Sequence, residues 1–444
     1  MSKGLITVGA RLTGCPFWVY YFLRVALLKR VTLEMKINQL KLKNFRGFQE
    51  ISIDFQPHFN IIIGDNSCGK TAALEGLAIA VASFFLGIDG ISSRDIQSDD
   101  CRLVNYKNHI EPQFPVQVEC WGILAGESLA WLRERKGKHN KTTVVKAKNI
   151  KAVAQKIQDE VRAGKNIDLP IIAYYSTNRL WVNSKETSFV AKGSRFRGYY
   201  NGLNPTSNNV LFTQWFKGKE LVALQQGTEP VELKVVRNAV SRCISECQKL
   251  YFDLNEDVLM LAFKDGRILP FKQISDGVRN LLAMVADIAF RCISLNPHLG
   301  QTAASDSEGM ILIDELDLHL HPAKQQKIIF DLKTTFPNIQ FITTTHSPLI
   351  LSTVADNVIT LKDNQAYRTE HTYGRDVNNV LKLTMGTLPR FEPVQKELDK
   401  YLILIDEGNG KSEEALILRK NLEVNLGIED PELIKADVLI NFVE

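Results

Sequence analysis

The clearest chemistry in the sequence lies in a glycine-rich run that ends in a lysine and a threonine. It reads Gly64-Asp65-Asn66-Ser67-Cys68-Gly69-Lys70-Thr71 and fits the pattern G-x-x-x-x-G-K-[S/T] at every fixed position. Glycine lets the backbone curl so that its N–H groups face an anion. Lys70 would neutralise the β- and γ-phosphates of a nucleoside triphosphate, and the Thr71 hydroxyl would ligate Mg²⁺. The run therefore predicts a site in which these eight residues bind ATP and Mg²⁺.

The segments on either side of this run have the character that a phosphate-binding loop requires. Phe59–Ile63 is a short β-branched run typical of a buried parallel strand, and residues 72–82 are strong helix formers. Strand, glycine loop and helix follow one another in the required order. A chance match in a glycine-containing turn is the alternative, and both flanks argue against it.

Two further strands are expected to complete the site. Met310–Ile313 is an apolar run that ends in Asp314 and Glu315. At the end of a buried strand, Asp314 could hold the Mg²⁺ and Glu315 could polarise the attacking water. Another apolar run over residues 341–345 delivers His346 to the position of a γ-phosphate sensor. A core histidine, or one at the start of a helix, is the alternative for His346.

Together these motifs resemble the ABC-type ATPase head of the SMC and RecF proteins. Asn44-Phe-Arg46-Gly-Phe48 resembles the first-strand motif of that group. Gln273-Ile-Ser275-Asp276-Gly277-Val-Arg279 precedes an apolar helix predicted from Asn280 to about Ser294 and resembles the ABC signature loop. In such heads the signature loop of one subunit touches the γ-phosphate that the other subunit holds. The resemblance implies an α/β P-loop head with a mixed sheet, ATP hydrolysis, and a head-to-head homodimer or higher oligomer. It also implies nucleotide contacts from Ser275, Asp276 and Gly277.

Several residues qualify this resemblance. Asp276 stands where transporter ATPases usually carry glycine, which argues against a transporter subunit and calls for a compensating cation such as Arg279. Asp317 matches the position that communicates between the two sites of an ABC dimer. His319 and His321 would need a third ligand to bind a metal, so packing at the start of a helix is the favoured interpretation.

The run Asp314–Pro322 resembles one found in the overcoming-lysogenisation-defect-like ATPases and their relatives. The phrases 173–181 and 373–379 resemble a bacterial subfamily that includes the PtuA-type ATPases of the Septu antiphage system and of some retron systems, and the resemblance covers about residues 35–440. The resemblance implies a switch subunit that controls a separately encoded nuclease, of the HNH type and similar to PtuB. A stand-alone ATPase for DNA repair or maintenance, similar to RecF, is the alternative. A chain-borne nuclease is not favoured, because Leu402–Gly408 resembles the opening of a topoisomerase-primase domain but no Asp-x-Asp follows it.

The organisation expected from the sequence has three parts. Residues 1–34 are an extension, disordered or upstream of a natural start at Met35; a membrane anchor is the minority alternative. Residues 35–385 form the head, with an α/β insertion over about 125–235 between the phosphate loop and the signature loop. The interval is too poor in heptads for a long coiled coil. Residues 386–444 form a short helical region, with helices predicted at 393–406, 411–426 and 431–442. From Glu392 onward this region holds 13 acids and 6 bases, which suits partner docking or a packed tail.

Charge is distributed unevenly along the chain. The net charge of +4 equals that of residues 1–34, where five cations face one anion, so bulk charge is no evidence for nucleic-acid binding. The stretch 133–151 holds eight cations and one anion. Such a run commonly forms a solvated, partly flexible loop. The more specific alternative is that it contacts the phosphates of DNA or RNA.

Composition excludes several classes of protein. The apolar fraction of 45% and charged fraction of 23% are close to the globular average, which argues against wholesale disorder and against a multi-span membrane protein. The apolar run at residues 17–28 is shorter than the roughly 20 residues that span a bilayer, so no membrane association is expected. Seven scattered cysteines without a C-x-x-C pair indicate a reduced, cytoplasmic protein.

The resemblance to ABC heads also implies a glutamine that makes an extra contact with Mg²⁺. Three residues are candidates for this role: Gln97, Gln113 and Gln117.

Overall fold

The computed structural model describes residues 34–107, 109–177, 194–204 and 209–443. The expectations for residues 1–33 and for residues 178–181 of the phrase 173–181 therefore concern residues outside the described ranges. Within these ranges the strands are β1 Met35–Phe45, β2 Phe48–Asp54, β3 Phe59–Ile63, β4 Leu103–Tyr106, β5 His109–Pro112, β6 Val116–Leu124, β7 Glu127–Arg135, β8 Ile171–Tyr175, β9 Cys247–Asp253, β10 Val258–Phe263, β11 Ile268–Pro270, β12 Gly309–Ile313, β13 Ile339–Thr344, β14 Asn357–Lys362 and β15 Gln365–Thr369.

The longer helices of these ranges, of eight residues or more, alternate with the strands. They are α1 Lys70–Val81, α2 Lys148–Arg162, α3 Asn209–Gln226, α4 Val231–Cys243, α5 Asp276–Leu295, α6 Ile328–Thr335, α7 Glu392–Asp406, α8 Glu413–Leu426 and α9 Pro431–Val443. Short α-helical turns lie at Ala303–Asp306, Pro322–Gln325, Pro348–Leu351 and Val377–Asn379, and a π-helical turn at Val380–Thr384. Short 3₁₀ turns lie at Phe84–Gly87, Ser98–Asp100, Val145–Ala147, Arg195–Tyr199, Phe271–Gln273 and Pro297–Thr302.

The central sheet has six strands in the order β15-β14-β3-β13-β12-β8. The five strands from β14 to β8 are parallel, and β15 adds an antiparallel edge. The strands that precede the three motifs are neighbours, because β3, β13 and β12 lie side by side. Their carboxyl ends meet at one edge of the sheet, where ligands bind in α/β folds. The predicted mixed sheet is therefore confirmed.

A second sheet covers α1 from the other side. Its four strands are antiparallel in the order β2-β1-β6-β7. Helix α1 contacts strands of both sheets, and each of its residues except Thr71 is buried. Its alanine- and leucine-rich sequence is apolar all round, as a helix enclosed on every side requires. The stretch Lys70–Gly87 is apolar enough to cross a membrane, but 89% of it is buried inside the protein, as expected of a core helix.

The interval between the phosphate loop and the signature loop contributes to the head itself. Strand β7 belongs to the four-stranded sheet and β8 forms an edge of the central sheet. Helices α3 and α4 and the antiparallel sheet β11-β10-β9 follow, and they lead into α5. The limits of an insertion at about 125–235 stay a prediction. Cys243 ends α4, and Cys247 opens β9, where it pairs with Phe263 of β10.

The stretch 133–151 is more ordered than a solvated loop. Arg133 is fully buried. Its guanidinium binds the Asp95 carboxylate and also donates to the carbonyl of Thr143 at 3.3 Å. Arg135 donates to the carbonyls of Ile96 at 3.1 Å and Lys138 at 2.6 Å. These two arginines hold the segment in place, and contact of the stretch with DNA or RNA stays a prediction. The lysines at 136, 138, 141, 146 and 148 are exposed.

The C-terminal helices form a small core of their own. Helices α7, α8 and α9 begin and end within two residues of the predicted bounds. Their buried side chains make a cluster separate from the main core, formed by Leu398, Tyr401, Ile405, Ala415, Leu422, Leu433 and Ala436. Arg390 donates two hydrogen bonds of 2.9 Å to Asp430, which ties the start of the bundle to the loop before α9.

Candidate nucleotide-binding site

The glycines of the phosphate loop are required by its geometry. Gly64 follows β3 with φ +144°, and a Cβ on it would lie 2.4 Å from the carbonyl oxygen of Leu361. Gly69 has φ +97° and precedes α1, and a Cβ there would lie 2.3 Å from the ring of Phe48. Any side chain at either position would force neighbouring atoms apart. The loop therefore keeps its backbone N–H groups at the N-terminus of α1, where the helix dipole favours an anion.

Lys70 is placed to meet phosphate. It is 8% exposed, and its Nζ donates to the carbonyl oxygens of Gly64 at 2.8 Å and Asp65 at 3.0 Å. The ammonium group thus lies over the loop that the sequence assigns to the nucleotide. A lysine held in this way neutralises phosphate charge without a large movement of its side chain.

Asp314 connects the phosphate loop to the strand ends. It is 1% exposed and comes directly after β12. Its Oδ2 accepts a hydrogen bond from Thr71 Oγ1 at 2.9 Å, and its Oδ1 accepts one from Thr344 Oγ1 at 2.6 Å. The predicted metal pair is therefore brought together. Thr344 was missed by sequence reasoning, although its place beside a strand-end aspartate follows from the parallel register of Ile313 with Thr343.

This pair of oxygen ligands suits Mg²⁺. Mg²⁺ takes hard oxygen ligands in an octahedral arrangement and is commonly held by one or two protein groups together with phosphate oxygens and water. In the described part of the chain no group of three or more His, Cys, Asp or Glu could hold a metal by itself. Thr71 and Asp314 would hold Mg²⁺ in company with the nucleotide, and the ion would neutralise charge on the phosphates.

Glu315 sits in a turn that Thr344 fixes. Its φ is +50°, an uncommon conformation for a residue with a side chain. Its backbone N–H donates to Thr344 Oγ1 at 2.7 Å, and the N–H of Leu316 donates to the Thr344 carbonyl at 2.8 Å. These bonds hold the predicted general base at the carboxyl edge of the sheet, next to Asp314.

His346 lies beside the phosphate loop. It lines a cavity of about 530 Å³ together with Gly64, Asp65 and Asn66. Its backbone N–H donates to Asp317 Oδ1 at 3.3 Å, and Thr345 Oγ1 donates to the same oxygen at 2.5 Å. Asp317 thus holds the turn that presents His346 within one chain. Its role in communication between two sites stays a prediction.

The signature loop lies at the start of α5, away from the phosphate loop's cavity. Ser275 precedes the helix, and both Ser275 and Asp276 are exposed. Asp276 forms an ion pair with Arg279, the cation expected to compensate it. A Cβ on Gly277 would lie 2.1 Å from the carbonyl oxygen of His319, so glycine is needed for this close approach.

A second cavity lies beside the predicted signature loop. This cavity measures about 530 Å³ and is lined by residues 275–278 and 319–321, among others. It shares no lining residue with the cavity at the phosphate loop. His321 Nδ1 accepts from the N–H of Ala323 at 3.3 Å, so this histidine caps a helical turn as expected. Within one chain, then, the signature loop and the phosphate loop line different cavities.

One residue of the first-strand motif, Phe48, packs against the phosphate loop. Arg46, in the turn between β1 and β2, donates to Asp100 Oδ1 at 2.9 Å. The Phe48 ring covers Gly69, as described above. The three candidate glutamines bond elsewhere: Gln97 donates to the Asp95 carbonyl, Gln113 to the Glu111 carbonyl and Gln117 to the Glu134 carboxylate.

One thiol lies in the phosphate loop itself. Cys68 is partly exposed, and its Sγ lies 4.0 Å from Lys70 Nζ. The other described cysteines are buried and free. Burial raises the pKa of Cys243 and of Cys292 to about 12, and that of Cys247 to about 11. Because the thiolate is the reactive form, these buried thiols are inert and Cys68 is the accessible one.

Comparison with known proteins agrees with this site. Two family profiles match: "AAA domain" over residues 39–247, and "AAA domain, putative AbiEii toxin, Type IV TA system" over residues 145–352. The Retron Ec83 probable ATPase of Escherichia coli is 25% identical over 92% of this chain and 87% of that protein. The Retron Vc95 probable ATPase of Vibrio cholerae is 23% identical over 84% of both chains. Septu protein PtuA of Bacillus thuringiensis is 24% identical over 72% of this chain and 74% of its own length.

Solved structures include an SMC head domain from Thermotoga maritima, with a TM-score of 0.41 and 14% identity over 76% of this chain and 98% of that chain. The fold is described by its own strand order: a parallel central sheet with one antiparallel edge strand, a second, antiparallel sheet, and α1 between the two sheets. The motifs, the site geometry and the matching families agree with one another. The chain carries AAA ATPase domains and is an ATPase homologous to the retron ATPases and to Septu protein PtuA.

Proposed function

We propose that this chain is the ATP-binding and hydrolysing switch subunit of an antiphage defence complex, and that it acts as a head-to-head dimer that controls a separate nuclease. The observation that carries the proposal is the separation of its two nucleotide-binding surfaces. The phosphate loop and the signature loop line different cavities of one chain. A second copy, turned to face the first, would bring each signature loop to the other's phosphate loop.

The residues at the phosphate loop would divide the chemistry between them. Lys70 and the loop N–H groups would bind the β- and γ-phosphates, and Thr71 and Asp314 would hold the Mg²⁺. Glu315 would accept a proton from the attacking water, and His346 would contact the γ-phosphate from the neighbouring strand end. The partner's Ser275 and Gly277 would donate hydrogen bonds to the same phosphate from the N-terminus of α5.

Two substitutions test this division. Glu315→Gln should retain ATP binding, slow turnover by about two to four orders of magnitude, and trap a dimer. Lys70→Ala should weaken ATP binding itself. The measurements are steady-state phosphate release, nucleotide binding by fluorescence, and mass by light scattering with Mg-ATP present. A Glu315→Gln protein that binds Mg-ATP and stays monomeric would overturn the head-to-head arrangement.

The C-terminal helices are the proposed contact for the nuclease, which we expect to be of the HNH type and similar to PtuB. They have their own core and leave apolar side chains exposed on α8 and α9, namely Leu416, Ile417, Val424, Ile434 and Val438. Val424 is 82% exposed. The surplus of acids over bases in this region suits a partner surface that is apolar with a basic rim.

Co-purification with the product of the neighbouring gene tests the partner. Val424→Asp should abolish capture of the nuclease while leaving ATP hydrolysis unchanged, because Val424 is remote from the main core. Lys420→Ala, one turn before it on α8, is the matched control and should capture the nuclease normally. If both variants capture the nuclease equally well, the contact does not include Val424 and must lie elsewhere on the chain. A stand-alone protein similar to RecF would instead bind DNA in an ATP-dependent manner without any partner.

The exposed lysines of the stretch 133–151 are the proposed contact for DNA or RNA. Replacing Lys136, Lys138 and Lys141 by alanine should make the affinity for nucleic acid less dependent on salt. The slope of log affinity against log salt should fall by the contribution of up to about three phosphate contacts. Arg133 and Arg135 are excluded from the test because they hold the segment together. An unchanged salt slope would remove this contact from the proposal.

A further inference from the structure

Three neighbouring strands of the central sheet end in one row of residues. Ile313 of β12 is paired in parallel with Tyr175 of β8 on one side and with Thr343 of β13 on the other. The next residues along each strand are therefore Ser176, Asp314 and Thr344. The backbone N–H of Asp314 donates to the Tyr175 carbonyl at 2.8 Å, so the β8–β12 pairing continues to this level. Neighbouring strands lie about 4.8 Å apart, which places Ser176 next to Asp314.

Side-chain alternation fixes the face on which Ser176 lies. Tyr174 Oη donates to Glu75 Oε1 of α1 at 3.1 Å, whereas Tyr175 Oη donates to Asp287 Oδ2 of α5 at 2.7 Å. The two tyrosines thus lie on opposite faces of the sheet. The next residue returns to the α1 face, the face on which Asp314 accepts its hydrogen bond from Thr71. Ser176 is 5% exposed there.

We propose that the Ser176 hydroxyl is a direct oxygen ligand of the Mg²⁺ that Thr71 and Asp314 hold. This rests on the proposed nucleotide site. Thr344 occupies one flank of the Asp314 carboxylate, and Ser176 lies on the other flank, toward β8. A neutral hydroxyl is an acceptable ligand for a hard cation that prefers oxygen. Sequence reasoning assigned this contact to a glutamine, but the side chains of Gln97, Gln113 and Gln117 bond elsewhere.

The first test measures how nucleotide binding depends on Mg²⁺. Binding of a fluorescent, non-hydrolysable ATP analogue is titrated against free Mg²⁺ for the full chain and its variants. Ser176→Ala should need about tenfold more Mg²⁺ for half-maximal binding, the scale reported for losing a group that supports a metal. Ser176→Thr keeps the hydroxyl and should behave as the wild type. Thr343→Val removes a buried hydroxyl from the opposite face and should also match the wild type.

The second test asks whether the contact is direct. A sulfur ligand suits Cd²⁺ better than Mg²⁺. Ser176→Cys should therefore shift the ratio of Cd²⁺ to Mg²⁺ half-saturation by about tenfold toward Cd²⁺ relative to the wild type, a comparison that also corrects for Cys68. Unfolding midpoints check that each variant is folded. If Ser176→Ala does not fold, the comparison of Cd²⁺ with Mg²⁺ in Ser176→Cys decides the assignment.

The outcomes separate this assignment from the function on which it rests. A wild-type chain that binds no nucleotide in the presence of Mg²⁺ would overturn the proposed function. A wild-type chain with Mg²⁺-dependent binding, and a Ser176→Ala chain identical to it, would overturn only the assignment of Ser176. Weakened binding in Ser176→Ala without a change of metal preference in Ser176→Cys would overturn direct ligation.

Discussion

Thr344 offers a sharp test of the site, because an adjacent threonine provides a matched control. Thr344 Oγ1 donates to the Asp314 carboxylate at 2.6 Å and accepts from the N–H of Glu315 at 2.7 Å. Thr343 is also fully buried, but its hydroxyl has no hydrogen-bond partner in the described part of the chain. The same substitution, threonine to valine, preserves side-chain shape at both positions. Any difference between the two variants therefore reports the hydrogen bonds of Thr344.

The expected magnitude follows from the two bonds. A hydrogen bond to a charged group contributes about 1.5–3 kcal/mol, and one between neutral groups about 0.5–1.5 kcal/mol. Thr344→Val should therefore lower the free energy of unfolding by about 2–4 kcal/mol in the absence of nucleotide. Thr343→Val removes a buried hydroxyl that makes no bond, so it should be neutral or slightly stabilising.

Urea unfolding followed by circular dichroism measures the stability of both variants, and phosphate release measures their turnover. Because Thr344 anchors the backbone of Glu315, Thr344→Val should also reduce the rate of hydrolysis by about tenfold to a hundredfold. Its affinity for the nucleotide in the absence of Mg²⁺ should change little, since Lys70 and the loop are untouched. Equal stability and equal turnover of the two valine variants would refute the role given to Thr344.

Three further predictions address other parts of the molecule. Cys68 should be the described cysteine that N-ethylmaleimide modifies fastest, and Mg-ATP should slow that reaction at least tenfold by covering the loop; peptide mass spectrometry distinguishes it from the other cysteines, and no protection would contradict the loop assignment. Arg133→Ala should lower the unfolding free energy by about 2–4 kcal/mol, because it empties a buried site and removes bonds to a carboxylate and a carbonyl. Lys136→Ala, on the same stretch but exposed, should stay within about 0.5 kcal/mol of the wild type in the same urea titration; similar losses in both would contradict the burial of Arg133. Gly277→Ala should lower the thermal midpoint of the head and weaken Mg-ATP-dependent dimerisation, because its methyl group meets the His319 carbonyl; an unchanged midpoint would show that α5 can shift freely.

Much of the head could be predicted because its signals are local. Apolar runs, glycines and helix formers within about a dozen residues are enough to predict each of these elements: the phosphate loop, the strands β3, β12 and β13, and the three C-terminal helices. The meeting of Thr71 with Asp314 followed from a general rule of parallel sheets, that strand ends share one edge.

The residues that were missed depend on contacts between distant segments. Thr344 and Ser176 are small hydroxyl residues without a motif, and their place beside Asp314 depends on the register of three strands far apart in sequence. Arg133 looked like one cation among eight. Its burial depends on Asp95 and on the 143 carbonyl, which charge counting along the chain does not reveal.

The close approach of Gly277 to His319 has a consequence for a two-fold assembly. The segment that ends in His319 begins with Asp314 and Glu315, which in the proposed dimer would serve the chain's own ATP, whereas Gly277 would serve the ATP of the opposite chain. Because a methyl group does not fit between Gly277 and the His319 carbonyl, we expect a displacement on one side to be transmitted to the other. The two sites of such a dimer would hydrolyse ATP in a coupled manner. A mixed dimer with one inactivated site should therefore lose far more than half of its rate of ATP hydrolysis.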